Sequence, residues 1–278
     1  MKELTKPKPF VKWAGGKRQI IDELKKHLPE EFDCYYEPFV GGGALLFELL
    51  PKKAFINDCN KELINVYKMF LDYKKFVLMG NVLNKHERKH SEKYYYEIRA
   101  LDQSEKFLEM LDYEKAARTI YLNKTCFNGL YRVNRKGYFN VPFGKKSNPN
   151  TYDGENLLNI HTYFVNNDIN LSSLDFEEAV KDAKQNDFVY FDPPYDTYNN
   201  SFTSYTQEGF GEEEQKRLSE VFKVLDKKGV KVMLSNHNTD YINELYQGYN
   251  IHVIKAKRSI NSKGNKRGSV EEVIITNY

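Results

Sequence analysis

Four consecutive residues combine types that can bind an amino group: Asp192, Pro193, Pro194 and Tyr195. They follow the apolar run Phe188–Phe191, which predicts a buried strand, and ligands in an open α/β sheet bind outside the carboxyl ends of strands. The two prolines lack N–H donors, so their carbonyl oxygens and the Asp192 carboxylate form a surface of acceptors beside a tyrosine ring. This surface predicts a pocket for the exocyclic amino group of a planar base, whose nitrogen would attack an electrophile. A Pro-Pro turn after a core strand is the simpler alternative.

A glycine-rich turn follows a second apolar run. It consists of Glu37, Pro38, Phe39, Val40, Gly41, Gly42 and Gly43. Glycines at a strand-to-helix turn let the backbone approach a nucleotide-like ligand, although Leu46 replaces the third glycine of a complete dinucleotide motif. Asp58 ends the next predicted strand, where an acid can accept hydrogen bonds from ribose hydroxyls. Capping of the following helix is the alternative role of Asp58.

The segment Lys12–Lys17 contains the chain's single tryptophan, Trp13, beside a Gly-Gly pair. Its spacing is not that of a phosphate-binding P-loop, because Arg18 stands where Ser or Thr would follow the lysine. Paired glycines next to Lys17 indicate contacts to a carboxylate or a phosphate, whereas a lone tryptophan is more often part of a core.

A further pattern, His86-Glu87-Arg88-Lys89-His90, matches the HExxH motif of zinc proteases. Its flanks are highly polar, and the two central residues are basic. These features are typical of a solvated helix rather than of one buried under a metal site. We therefore expect no metal ion in this protein.

Composition sets broad limits on the class of protein. The 278 residues include 42 Lys and Arg against 39 Asp and Glu, a net charge of +3, which excludes a histone-like basic protein. No apolar run approaches the roughly 18–20 residues of a membrane span. Cys34, Cys59 and Cys126 are odd in number and widely separated, so neither a disulfide framework nor a metal knuckle is expected. The sequence predicts a cytoplasmic protein.

Apolar runs that alternate with helical stretches predict an α/β fold with a mainly parallel sheet. The expected strands are Cys34–Phe39, Ala54–Asn57, Phe188–Phe191, Val230–Ser235, Ile251–Ala256 and Val270–Thr276. The expected helices include Lys17–Leu28, Ala44–Leu50, Glu212–Asp226 and Thr239–Tyr246. The last two strands are separated only by a loop rich in glycine and lysine, which predicts an antiparallel hairpin at the sheet edge.

Residues 61–167 interrupt this alternation. They are rich in Lys, Tyr and Asn, and we expect mostly helix up to Thr125 and then a hairpin around Arg135–Gly137. We interpret this segment as a second domain, which recognises a target and is inserted into an α/β domain formed by residues 1–60 and 168–278.

Two stretches of the chain lack Asp and Glu and concentrate basic residues. They hold Lys115, Arg118, Lys124, Arg132, Arg135, Lys136, Lys145 and Lys146, and then Lys255, Lys257, Arg258, Lys263, Lys266 and Arg267. A charge run is often only a solvated surface. Two such stretches, the first interleaved with aromatic residues, favour a polyanion as the partner, and they leave the rest of the chain acidic.

In this order, the motifs resemble those of the Dam family of DNA adenine-N6 methyltransferases. The resemblance covers nearly the whole chain and rests on FVKWAGGKRQ, EPFVGGGALLFEL, INDCN, FNGLYRVNRKGYFNVPFG, DFVYFDPPY, FTSYTQEGF and RGSVEEVIITNY. Cofactor segments, recognition insertion and DPPY follow one another as in the family's α arrangement. Members that accompany restriction systems and modify GATC are most similar, so the resemblance suggests a cognate restriction endonuclease as a functional partner and implies no stable complex with it.

The resemblance implies a Rossmann-like, S-adenosylmethionine-dependent fold that methylates adenine N6 in double-stranded DNA after the base is flipped out. The residues that would bind S-adenosylmethionine are Trp13, Lys17, Glu37, Phe39, Gly41, Gly43, Asp58, Phe176 and Asp192. The DPPY residues, Asp192 to Tyr195, would hold the target adenine, and FTSYTQEGF would form a flap over it.

For DNA recognition, the resemblance assigns guanine contacts to Arg132 and Lys12. Leu130 and Pro142 would touch the thymine methyl, and the remaining assigned contacts are Phe127, Asn128 and Lys145. Phe127 and Asn128 would support the distorted duplex. Lys145 stands where many members have Arg, so it keeps a phosphate contact but loses bidentate geometry.

Other functions fit parts of the pattern. Cytosine-N4 methylation of DNA uses the same acceptor surface, although Ser in place of Asp192 would favour cytosine, and adenine in RNA is a further target. The glycine turn and Asp58 could bind NAD for hydride transfer, but the basic hairpin would then have no role. A DNA-binding regulator without catalysis would tolerate Asp192→Ala.

Overall fold

The computed structural model describes residues 5–13, 15–196, 210–257 and 269–278. Its strands are β1 Tyr35–Glu37, β2 Lys53–Asn57, β3 Asp168–Ser172, β4 Phe188–Phe191, β5 Lys231–His237, β6 Asn250–Lys257 and β7 Ser269–Thr276. Its α-helices are α1 Ile21–Lys26, α2 Ala44–Leu49, α3 Lys61–Met69, α4 Tyr73–Arg88, α5 Glu92–Ala100, α6 Lys106–Glu109, α7 Asp112–Thr125, α8 Gly154–Val165, α9 Phe176–Ala179, α10 Glu212–Lys227 and α11 Asp240–Leu245. Short 3₁₀ turns are Lys17–Gln19, Leu101–Gln103 and Phe127–Gly129.

The seven strands form one sheet in the order β3-β2-β1-β4-β5-β7-β6. The first five strands in this order are parallel to one another, and β7 is antiparallel to both β5 and β6. The mixed α/β fold, its mainly parallel sheet and its C-terminal antiparallel hairpin are thereby confirmed. The strand order reverses between β1 and β4, so a crevice opens where these two strands end.

Side chains alternate between the two faces of the central strands. In β4, Phe188 and Tyr190 belong to a core shared with α3, α4, α7 and α8. Val189 and Phe191 belong to a second core, shared with α10 and α11. Because both faces of β4 are covered, this strand is apolar at every position, which is the pattern that made it recognisable in the sequence.

The structure differs from the predicted elements in two places: one strand has no counterpart in the prediction, and one predicted helix is broken. Strand β3 was not expected, because its sequence, DINLS, has no apolar run: it lies at the sheet edge, where only Ile169 is buried. The predicted helix Lys17–Leu28 is instead a 3₁₀ turn and the short helix α1, separated by Ile20 at φ −112°. This break leaves Lys17 on a turn rather than inside a helix.

The segment after Asn60 is mostly helical, as expected. Helices α3, α4, α7 and α8 contribute to the same continuous core as β1 and β2, so this segment packs directly on one face of the sheet. The expected hairpin is present, with Val133 bridged to Phe139 and Gly137 at φ +82°. The division into two domains stays a prediction. In the part of the chain that the structure covers, no helix has the length and apolarity needed to cross a membrane.

Candidate active site

The ends of β1 and β4 bring two of the sequence motifs together. Tyr35 and Tyr36 pair in parallel with Phe188 and Val189, so the turn that begins at Glu37 lies beside the loop that begins at Asp192. The N-terminal motif reaches the same crevice, because the Lys17 ammonium nitrogen lies 2.6 Å from Asp192 Oδ1. Three segments that are distant in sequence thus meet at one edge of the sheet.

Asp192 lies in a mostly buried polar environment. Burial raises the pKa of its carboxyl group, and the Lys17 ammonium opposes that rise. Ser235 Oγ also donates a hydrogen bond to Asp192 Oδ1, at 3.2 Å, and is itself 2.8 Å from the hydroxyl of Tyr190. Lys17 additionally lies 4.1 Å from the centre of the Tyr195 ring, which places the amine, the carboxylate and the ring in mutual contact.

The DPPY loop is held from behind by a buried amide pair. Gln215 Nε2 donates to the Pro194 carbonyl oxygen at 2.9 Å, and Asn236 Nδ2 donates to Gln215 Oε1 at 3.1 Å. Asn236 Oδ1 accepts from the Asp196 N–H at 2.9 Å. Among the described residues, the Pro193 carbonyl has no hydrogen-bond partner. The loop is therefore fixed while Pro193 retains an acceptor for a ligand.

The glycine turn requires the left-handed conformation at Gly41 and Gly43, where φ is +49° and +71°. Asp58 holds the turn, since its Oδ2 accepts from the Gly41 N–H at 3.0 Å. Asp58 Oδ1 accepts from the Asn60 N–H at 2.9 Å, but the residue that caps α3 is Asn60. Burial raises the pKa of Asp58 to about 6, and each of its oxygens keeps further acceptor capacity.

Trp13 closes one side of this turn. A Cβ atom built on Gly41 would lie 2.7 Å from Trp13 Cδ1, so only glycine fits there. On the other side, the Tyr67 hydroxyl donates to the Gly41 carbonyl at 3.0 Å. Glu37 Oε2 is buried and has no hydrogen-bond partner among the described residues, and burial raises the pKa of this carboxyl well above its usual range. One oxygen of this buried carboxyl group, beside the glycine turn, is thus open to a donor group of a ligand.

Phe39 and Phe176, two of the three aromatic residues assigned to the cofactor, lie together on the face of the sheet that packs against α10. The ring centres of Phe39 and Phe176 are 5.5 Å apart, and Phe210 contacts both rings. The Arg217 guanidinium lies 4.3 Å from the centre of the Phe176 ring and forms an ion pair of 2.6 Å with Asp175. Phe176 is consequently almost fully buried.

The residues assigned to DNA form a second, exposed surface, which we call the recognition surface. Its members are Lys12, Phe127, Asn128, Leu130, Arg132, Pro142 and Lys145, all exposed except the half-buried Leu130. Backbone hydrogen bonds join its segments, from the Phe127 N–H to the Pro142 carbonyl and from the Asn140 N–H to the Arg132 carbonyl. Arg132 Nε donates to Asn140 Oδ1 at 2.7 Å, which orients its guanidinium.

One basic residue of the first acid-free stretch lies inside the protein. Arg118 is fully buried and forms an ion pair of 2.8 Å with Asp102, so its charge is used inside the protein. The flap predicted at FTSYTQEGF and most of the second basic stretch lie outside the described residues, apart from Phe210 and a few residues at the ends.

The HExxH-like residues fasten the loop that follows the recognition surface. His90 lies 2.9 Å from the Tyr121 hydroxyl and 2.8 Å from the Lys146 carbonyl. Glu87 Oε2 accepts from both the N–H and the hydroxyl of Thr151. His86 is buried and contacts the Tyr94 hydroxyl at 2.8 Å, so the expectation of a solvated helix is wrong at this position. Within the described part of the chain, no cluster of His, Cys, Asp or Glu has the form of a metal site.

Sequence reasoning missed three polar residues of the site: Gln215, Ser235 and Asn236. Ser235 and Asn236 had a usable signal, because they stand near the carboxyl end of β5, the parallel neighbour of β4. Gln215, in the first turn of α10, had none.

Comparison with known proteins identifies the family of this chain. Residues 13–260 match the family model described as D12 class N6 adenine-specific DNA methyltransferase. The chain is 48% identical to the type II methyltransferase M1.LlaDCHI of Lactococcus lactis subsp. cremoris, over 98% of this chain and 95% of that protein. It is 43% identical to the type II methyltransferase M.MjaIII of Methanocaldococcus jannaschii, over 98% and 99% of the two chains.

A third relative has a different name. The DNA adenine methylase of Escherichia coli K12 is 34% identical over 98% of this chain and 95% of that protein. The resemblance drawn from the motifs is thereby confirmed, and the family is specific for adenine rather than cytosine. The chain belongs to the D12 class of N6 adenine-specific DNA methyltransferases.

Proposed function

We propose that the protein transfers the methyl group of S-adenosylmethionine to adenine N6 within GATC in double-stranded DNA, after the target base has left the duplex and entered the DPPY pocket. The observation that carries this proposal is the meeting of Lys17, Asp192 and Tyr195 at the crevice between β1 and β4. The DPPY loop offers a carboxylate, an aromatic ring and the Pro193 carbonyl, which has no hydrogen-bond partner in the described part of the chain, beside a turn suited to a nucleotide.

The residues around the glycine turn fit S-adenosylmethionine, which supplies an electrophilic methyl group on a sulfonium centre. Glu37 Oε2, which is buried and has no hydrogen-bond partner within the described ranges, would accept a hydrogen bond from its cationic amino group, whose charge would favour the ionised carboxylate. Asp58 would accept from the ribose hydroxyls, and Gly41 and Gly43 keep the backbone free of side chains along the ligand. Phe39 and Phe176 supply apolar rings for the adenine of the cofactor. If that adenine stacks on the Phe176 ring, the Arg217 guanidinium must move away from it.

Asp192 and Pro193 would activate the target amine. The lone pair of adenine N6 is delocalised into the ring, which makes this amine a poor nucleophile. Hydrogen bonds from its two N–H groups to the Asp192 carboxylate and the Pro193 carbonyl would localise that pair on nitrogen. As the N–C bond forms and the S–C bond breaks, the nitrogen must lose one proton, and Asp192 is the acceptor within reach. Positioning is then the main source of rate.

The recognition surface would read the sequence around the target. An exposed arginine held by Asn140 suits a bidentate contact to guanine O6 and N7, and Lys12 suits the outer guanine. Leu130 and Pro142 provide apolar contacts for the thymine methyl. Phe127, exposed at the tip of its turn, and Asn128 would fill the gap that the flipped adenine leaves.

The test incubates the protein with S-adenosylmethionine labelled in the methyl group and with duplexes that contain GATC or a scrambled tetranucleotide. We expect label in adenine of the GATC duplex, and we expect Asp192→Ala to abolish it while DNA binding persists. Absence of label from adenine in every duplex would refute methylation of DNA. Equal label in scrambled duplexes would refute the GATC assignment alone, and loss of DNA binding in Asp192→Ala would indicate a role in folding.

A further inference from the structure

One buried carboxamide joins the recognition surface to the N-terminal segment. Asn123 is 1% exposed near the end of α7. Its Oδ1 accepts from the Lys12 N–H at 2.8 Å, and its Nδ2 donates to the Lys12 carbonyl at 2.7 Å and to the Gly129 carbonyl at 3.1 Å. Both amide hydrogens and one acceptor site are thus used, and they hold the N–H and the C=O of Lys12 together, as a neighbouring strand would.

Contacts on both sides of Asn123 are close-packed. Gly129 has φ +67°, and a Cβ atom built on it would lie 2.6 Å from Lys12 Cδ. The turn Phe127–Gly129 therefore lies directly against the Lys12 side chain, and neither can move far without the other. Since Asn123 bonds to both, it fixes their relative position.

The next residues continue this connection to the reaction site. Trp13 stacks on Tyr131 with ring centres 5.2 Å apart, and it covers Gly41 so closely that no Cβ atom would fit there. Four residues further on, Lys17 pairs with Asp192 at 2.6 Å. The Gly16 N–H donates to the Trp13 carbonyl at 3.1 Å, so a shift of Lys12 would reach the glycine turn through the packed Trp13 ring and Lys17 along the chain.

We propose that Asn123 is a positioning residue that couples recognition of the target sequence to the glycine turn. Correct seating of the duplex on Lys12 and Leu130 then favours the arrangement of Trp13 and Lys17 that binds the cofactor. Such coupling is reciprocal, so cofactor would strengthen binding of the correct duplex by the same factor. This inference rests on the proposed function, because it requires that the protein distinguish GATC from other sequences.

The test measures cofactor affinity with no DNA, with a GATC duplex and with a scrambled duplex, for the wild-type protein and for Asn123→Asp. Aspartate keeps the size of the side chain but cannot donate to the two carbonyl oxygens. We expect the GATC duplex to tighten cofactor binding in the wild-type protein. We expect Asn123→Asp to lower that enhancement, and the ratio of kcat/KM for GATC over scrambled DNA, roughly tenfold each, with cofactor affinity unchanged in the absence of DNA.

Asn159→Asp is the matched control. Asn159 is also a buried asparagine, 4% exposed. It donates to Thr5 Oγ1 at 2.8 Å, and neither residue belongs to the recognition surface. An enhancement that survives in Asn123→Asp, or that is lost equally in Asn159→Asp, would overturn the proposal. If the wild-type protein methylates GATC selectively but binds cofactor equally with both duplexes, the coupling is wrong and the proposed function stands. If it methylates both duplexes equally, the GATC assignment is wrong, methylation of adenine stands, and the coupling is wrong with the assignment.

A second measurement does not depend on folding of the variant. Hydrogen exchange of the wild-type protein should slow at the amides of Gly41 and Gly43 when the GATC duplex is added without cofactor, and not when the scrambled duplex is added. Equal protection by the two duplexes would contradict the coupling whatever the behaviour of Asn123→Asp.

Discussion

At the scale of single residues, the site depends on the balance of charge around Asp192. A carboxylate removed from water prefers to be protonated, and a protonated carboxyl is a weaker acceptor for an amine. Lys17 counteracts this tendency from 2.6 Å, and Ser235 adds one donor. The lysine is itself nearly buried, so it exchanges few hydrogen bonds with water, and the pair acts as a unit.

Replacing Lys17 by Met should raise the pKa of Asp192, because the opposing cation is lost while burial stays. Under the proposed function, methylation uses the ionised carboxylate and declines as pH falls through its pKa, so the acid limb of kcat/KM should move to higher pH. Lys17→Arg keeps the charge and should restore the original limb. The measurement is the pH profile of methylation for the three proteins, and an unchanged acid limb in Lys17→Met would contradict the assignment.

Asp58 should make cofactor binding depend on pH. Its pKa is raised to about 6 by burial, and ribose hydroxyls bind the ionised form, so binding below pH 6 requires the loss of a proton. We expect the Kd of S-adenosylmethionine to rise about tenfold for each pH unit below 6 and to be constant above pH 6. Trp13, the single tryptophan, lies against Gly41 and provides a fluorescence signal. Asp58→Asn should flatten the dependence, whereas the exposed Asp182→Asn should not.

At the scale of elements, the sequence predicts most clearly the strands that are buried on both faces of the sheet. Strand β4 is covered on both faces, so it appears as an unbroken apolar run followed by Asp192. Strand β3 is an edge strand and has no such run. The proximity of Ser235 to Asp192 depends on the register of β4 and β5, in which Phe191 pairs with Leu234, and no local pattern encodes that register. The pairing of Lys17 with Asp192 depends equally on tertiary structure.

The HExxH-like helix illustrates the same limit. Its residues match a metal motif by spacing, but the hydrogen-bond partners of His90 and Glu87 come from α7 and from the loop after the recognition surface, which are distant in sequence. Glu87 accepts two hydrogen bonds from Thr151, which is 2% exposed. The residues therefore fasten a loop, and this role could only be found in three dimensions.

Removing the Glu87 carboxylate should release that loop. Glu87→Ala leaves the N–H and the hydroxyl of Thr151 buried without an acceptor, which costs about 1–3 kcal/mol of unfolding free energy. Because the loop begins beside Lys145, DNA affinity should fall as well. Glu97→Ala, at an exposed position of α5, should change stability by less than about 0.5 kcal/mol. Denaturant unfolding and DNA binding test both statements, and equal stability of the two variants would contradict the fastening role.

At the scale of the whole molecule, the recognition surface is attached to the sheet through a single continuous core. Residues of α3, α4, α7 and α8 pack together with β1 and β2, so the surface and the crevice belong to one packed body on that side. Helix α10, which covers the other core, has ion pairs on its exposed face, so positive charges there are balanced by acidic residues. The excess of basic residues in the first stretch, apart from Arg118, therefore marks the side on which a duplex would be attracted.

Two residues of the recognition surface should separate sequence reading from general attraction. Arg132→Ala should reduce the difference in binding free energy between GATC and scrambled duplexes by about 1–3 kcal/mol, because a base contact is lost.

Lys145→Ala should weaken binding of both duplexes alike and reduce the slope of log Kd against log salt by about one, because a phosphate contact is lost. Lys223→Ala removes a charge beside the other core and should leave the difference between the duplexes and the slope unchanged. Since Lys145 has φ +55°, Lys145→Gly separates strain from charge: it relieves the strain but should show the same loss of slope. A uniform loss in Arg132→Ala would instead make it a phosphate contact, and the GATC assignment would then lose its main support on this surface.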